Sequence, residues 1–221
     1  MRWLRRSMGW VRAHLLPSSL LGRFFLLTFL WLPFWFVLWY QLSGALSIPA
    51  VLLSQHAVNL FHPGLIETAE GLGRHVHYGT ALDVPMPGEP DGTRGQLLVA
   101  VNPLVYSWNL PVLFALLFAA DERFFSVTRV LIAYLGLLPL HAWGISFELL
   151  STLALRSGAD VQAALGLAGW RLEAVALGYQ FGYLMLPVIG AATLWIAMNR
   201  DMLRELLDPG QDPPHPPPGE N

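Results

Sequence analysis

His75 and His77 are separated by one residue, so on an extended strand both imidazoles leave one face about 6.5 to 7 Å apart. That spacing suits two ligands of a metal ion if His56, His62, Glu67 or Glu70 folds over them. No HExxH pattern accompanies the pair, however, and no third ligand is set by local spacing. His141 and Glu148 form a second constellation. Seven positions apart in an apolar run, they share a helical face at roughly 10 Å along the axis, which brackets a polar groove without contact between them. A charge in such a run must be compensated or hydrated, so both residues are functional candidates. The third constellation is the stretch 102–111, NPLVYSWNLP, which gathers Asn102, Tyr106, Trp108 and Asn109 beside Ser107. At headgroup level, Tyr106 and Trp108 anchor a helix while the two amides bond exposed backbone; the same collar offers a docking surface to another membrane protein.

Nucleophilic chemistry finds little support. The chain has no cysteine, which removes thiolates, disulfides, Cys metal ligands and iron–sulfur clusters together. Ser107 and Ser146 lie in apolar runs outside any G-x-S-x-G turn, and neither has a base placed beside it by spacing. Phosphate-binding loops and dinucleotide fingerprints are absent. No catalytic residue, cofactor or metal is therefore expected. The residues expected to contact a partner are Asn102, Tyr106, Trp108, Asn109, His141 and Glu148.

The elements that must position these residues follow from composition. The 221 residues are 54% hydrophobic and 13% charged, too apolar for a soluble surface, and the apolar residues fall in runs long enough to cross roughly 30 Å of hydrocarbon. The expected fold is an all-α polytopic membrane protein: four transmembrane helices and a small outer segment with a surface helix and a β-hairpin. The spans are placed at 23–43, 103–120, 127–154 and 172–198. Pro33, Pro111, Pro139 and Pro187 sit inside them as kinks rather than breaks. Residues 103–120 are read as a full crossing, with re-entrance as the alternative. The first run, 24–42, is too long and aromatic for a cleaved signal core and is read as a retained anchor. Gly178 and Gly182 give the fourth run a GxxxG spacing that permits close helix contact.

Outside the membrane, 49–61 reads as a short helix on the bilayer surface and 74–84 as a strand by its period of two, with Val76, Tyr78, Thr80, Leu82 and Val84 on the apolar face. The turn-rich 85–95 returns the chain through a second strand at 96–101. Two strands are marginal alone, so the hairpin, within the outer segment 44–102, must lean on the bundle, the surface helix or another protein. Residues 1–22 read as a basic amphipathic segment on an anionic cytoplasmic surface, since 1–23 carry five Arg and no acid. No nucleic-acid-binding module accompanies that charge. The links 121–126 and 155–171 are loops, and 199–221 is a cytoplasmic tail whose end, 208–221, is proline-rich and expected to be disordered. With both termini in the cytoplasm, nine of the thirteen Arg lie inside, and the positive-inside bias selects that orientation in a bacterial inner membrane.

The basic aromatic first anchor, the outer segment ending in NPLVYSWNLP and the three further helices resemble the exosortase H-associated membrane proteins over most of 20–200. The resemblance implies a non-catalytic partner of a multi-pass exosortase-like protein, in a system that cleaves C-terminal sorting tails on the outer side of the inner membrane. Exosortases carry a Cys, Arg and His set; without cysteine this chain cannot be that enzyme by the usual route. Two alternatives differ in class. A membrane enzyme requires His75, His77 and Glu148, or a neighbouring Arg, to converge on one pocket. A small transporter rests on the Pro- and Gly-interrupted third and fourth helices, which supply few ionisable groups for a polar route.

Overall fold

The computed structural model describes residues 20–72, 74–85, 90, 92–120 and 127–207. Most of the expected basic segment 1–22, the loop 121–126 and the proline-rich end 208–221 lie outside the described residues.

The first element, α1 (Leu20–Phe61), is one helix of 42 residues that contains both Pro33 and Pro49. This corrects the expectation of an anchor followed by a separate surface helix at 49–61. The helix runs on through its serines, whose hydroxyls find acceptors on its own carbonyls. Ser43 donates to Tyr40 O at 2.9 Å, Ser47 to Ser43 O at 2.7 Å and Ser54 to Val51 O at 2.7 Å.

A three-stranded antiparallel sheet follows, β1 (Ile66–Leu72), β2 (His75–Pro85) and β3 (Arg94–Val101), in the order β1-β2-β3. The expected hairpin is β2 and β3; β1 extends it. Its sequence, IETAEGL, mixes two Glu with Gly and lacks the alternation that marks a strand. Tertiary contact supplies what propensity does not. The Asn59 amide of α1 donates to Ile66 O and accepts from Ile66 N, both at 2.8 Å, so one side chain does the work of a neighbouring strand at the head of β1. The apolar face of β2 is as its period requires, with Val76, Tyr78 and Thr80 buried.

The chain then enters a single helical turn, α2 (Leu104–Ser107), is interrupted at Trp108 and continues as α3 (Asn109–Ala120). Next come α4 (Val127–Leu155), a short α5 (Ala159–Ala164) and α6 (Trp170–Gln180). After α6 a π-helical turn (Phe181–Met185) leads into α7 (Leu186–Met198), and α8 (Arg200–Leu207) follows. The π turn has a local cause. Pro187 has no N–H to offer the Tyr183 carbonyl, and Leu186 N–H reaches back five residues to Phe181 O.

Three helices are long and apolar enough to cross a membrane: Leu21–Phe61, Val127–Leu155 and Trp170–Met198. Leu104–Ala120 is apolar but shorter. Two buried clusters hold the fold. One joins Trp35 of α1 to Leu110, Leu113, Phe114 and Leu117 of α3, Leu137 of α4 and Ala191 of α7. The other packs Val76, Tyr78, Val99 and Val101 of the sheet against Val58 of α1 and Ile145, Leu149 and Leu153 of α4. The sheet therefore rests on α1 and α4, which supplies the support that two or three strands need.

Candidate functional site

The polar collar begins where β3 ends. Asn102 Oδ1 accepts from Leu104 N at 3.1 Å and starts α2. That turn carries Tyr106 inward until its ring covers Gly144 of α4, where no Cβ could be accommodated. On the far side of Gly144 lies Gly182 of the π turn, whose own added Cβ would stand 3.0 Å from Gly144 Cα. Tyr106, α4 and the π turn thus meet at a point only two glycines permit. Gly178, the other half of the GxxxG spacing, faces the Phe147 ring, and its carbonyl accepts from Trp143 Nε1 at 3.1 Å.

Asn109 is fully buried and fixes three elements together. Its Nδ2 donates to Pro187 O at 3.1 Å, and its Oδ1 lies 2.9 Å from His141 Nε2. Because the Pro187 carbonyl can only accept, the amide must present its oxygen to His141. The imidazole is then the Nε2–H donor. Ser107 accepts from Trp39 Nε1 at 3.3 Å, which adds α1 to the same node. Trp108, by contrast, points outward and is 38% exposed. With Asn102, Leu104, Val105, Tyr183 and Leu184 it lines a surface cleft between the collar and the π turn.

Glu148 is half-buried beside Tyr106. The two groups are close enough to interact, and among the described residues neither the Tyr106 hydroxyl nor Glu148 Oε2 completes a well-formed hydrogen bond. Nearby, the Tyr78 hydroxyl and Ser54 Oγ are 2.8 Å apart. Ser54 spends its proton on Val51 O, so Tyr78 donates to Ser54. Burial first, and the Glu148 charge in the same direction, push the Tyr78 phenol up to about 12.

A family model described as exosortase H-associated membrane protein matches residues 18–202. The chain belongs to that family. Neither the curated proteins nor the solved structures contain a match to it.

In this exosortase H-associated membrane protein the six residues expected to meet a partner separate into two groups. Tyr106, Asn109 and His141 are buried, the last two hydrogen-bonded to each other; Asn102 and Glu148 are half-buried and Trp108 is exposed. The outer histidines do not converge. His75 is exposed, His77 stands opposite Glu70 in the β1–β2 register, and His56 Nδ1 is 2.7 Å from Leu52 O on its own helix. His62, at the end of α1, is held below the usual histidine range by burial and then by Arg171. Glu67 accepts from Gln96 Nε2 at 2.9 Å. Among the described residues no three His, Asp or Glu are grouped to hold a metal ion. Ser146 donates to Ala142 O at 2.7 Å, an intrahelical bond rather than a nucleophile's contact.

Sequence reasoning missed Tyr78 with Ser54, Asn59 with Ile66, and Arg74, whose guanidinium lies 4.2 Å over the Tyr40 ring. The partners are 24, 7 and 34 positions apart, respectively, and only the Asn59 pair lies within reach of a local pattern.

Proposed function

We propose that this protein is a non-catalytic accessory or assembly subunit of an exosortase-type protein-sorting system in a bacterial inner membrane. In this reading it crosses the membrane four times, with residues 103–120 as the second span, both termini in the cytoplasm and the sheet on the outer side. Its partner is a multi-pass exosortase-like protein, and the contact surface is the collar. The cleft lined by Asn102, Leu104, Val105, Trp108, Tyr183 and Leu184 is the observation that carries the proposal. Family membership supports the kind of partner, and the node beneath the cleft supports its rigidity: Tyr106, Asn109 and His141 hold the rim at a fixed shape while Trp108 and Asn102 face outward. A prearranged aromatic anchor loses little conformational freedom on binding, which is what a docking surface needs. Glu148, half-buried beside Tyr106, is a further candidate for the contact.

The test is photo-crosslinking from position 108 in native membranes of cells that also express the exosortase. The expected product joins the two proteins and is at least several-fold more abundant than the product from position 188, an exposed apolar residue of α7. Equal yields from the two positions, or normal sorting of tailed clients in cells lacking this chain, would overturn the assignment.

A further inference from the structure

Where the β1–β2 end of the sheet meets α1, a groove of about 140 Å³ opens. Ser43, Gly44 and Ser47 form its floor, Ile48 and Leu104 line its sides, and Arg74 stands at its edge with His75. Three observations give the groove a chemical preference. Among the described residues no carboxylate lines it. Arg74 is exposed and, among the described residues, makes no ion pair; its one described contact is the stack over Tyr40, which fixes the guanidinium in place and leaves its N–H edges free. Gly44 leaves real space, since a Cβ added there would meet nothing within 4 Å, and the same holds for Gly71 across the groove.

The position supplies the source of the anion. Tyr40 lies at the end of the apolar run 24–42, where Gln41, Ser43 and Gly44 replace the Phe and Leu below, so Arg74 sits at the boundary between acyl chains and headgroups. A positively charged fork held over a ring at that depth, above a cleft with apolar sides, matches a lipid phosphate with its glycerol and first acyl carbons.

We propose that this groove binds the phosphodiester headgroup of an anionic phospholipid, with Arg74 as the phosphate-binding residue. The proposal does not depend on the exosortase partner, although Leu104 lines both this groove and the collar cleft.

The experiment uses the full chain purified from mixed phosphatidylcholine and phosphatidylglycerol membranes, with the lipid that remains bound after detergent exchange measured by mass spectrometry. Wild type should retain phosphatidylglycerol in preference to phosphatidylcholine. Arg74→Gln should lower retention by roughly tenfold, the loss of one charge-assisted phosphate contact. Gly44→Leu should lower it comparably by filling the groove without altering charge. Arg94→Gln, at the other end of the sheet where Arg94 donates to Asp83 O, should leave retention unchanged. Unaltered retention in both Arg74→Gln and Gly44→Leu would overturn the proposal, as would displacement of the lipid by millimolar inorganic phosphate, which would mark a site for the free anion. Thermal melting of each variant separates a lost site from a lost fold; if Arg74→Gln fails to fold, Gly44→Leu decides the matter.

Discussion

His141 donates to Asn109, and Asn109 donates to the Pro187 carbonyl, so each bond depends on the orientation the other imposes. Interhelical hydrogen bonds of this kind contribute about 0.6 to 2 kcal/mol in membrane proteins. His141→Ala and Asn109→Ala should each destabilise the protein by about 1 kcal/mol, and the double substitution by less than the sum, as a denaturation cycle in detergent would measure. Strict additivity would mean that the two side chains do not share a network. Tyr78 gives a second test at this scale. Its phenol pKa is raised in the folded state to about 12 from 10, so the stability linked to its protonation is complete below pH 10 and is lost as pH rises through 12. Tyr78→Phe should lower the late amplitude of an ultraviolet difference titration by one tyrosine and flatten the alkaline decline in stability, and an unchanged late amplitude would refute the assignment. A late step that survives the substitution belongs to another tyrosine.

Among the elements, the crossing of α4, the π turn and α2 is the tightest contact. The Tyr106 ring occupies the space a Gly144 side chain would need. Gly144→Ala therefore forces Tyr106 or α4 to move, at a cost of about 1–3 kcal/mol. Gly44→Ala, where nothing lies within 4 Å, should leave melting almost unchanged. Similar melting temperatures for the two variants would remove the close approach as a determinant of the fold. The long α1 obeys a simpler physics. Serines with their hydroxyls returned to helix carbonyls add no unpaired polar group, and one helix that contains two prolines passes from the apolar run into the support of the sheet.

For the molecule as a whole, the absence of cysteine makes sidedness directly testable. Single substitutions Thr93→Cys and Thr128→Cys should react with a membrane-impermeant thiol reagent from opposite sides, the first from outside and the second from the cytoplasm. Labelling of both from one side would make 103–120 re-entrant. The sheet's place against α1 and α4 also predicts that Asn59→Ala increases amide exchange in β1 more than in β3, because β3 keeps its pairing with β2 and its packing on α4.

Membrane residence, the long apolar helices and the buried face of β2 were legible in the order of residues, because hydrophobic length and period are local quantities that lipid and core read directly. The family was legible in the same stretches, including NPLVYSWNLP. What the order of residues did not disclose has a common cause. Strand β1 exists because Asn59 and β2 satisfy its backbone, 49–61 stays joined to the first helix because the sheet covers it, and Tyr106, Asn109 and His141 turn inward because two glycines and a proline on other helices leave them space and an acceptor. A polar side chain in an apolar run must find a partner, and only the tertiary arrangement decides whether that partner is within the chain or outside it.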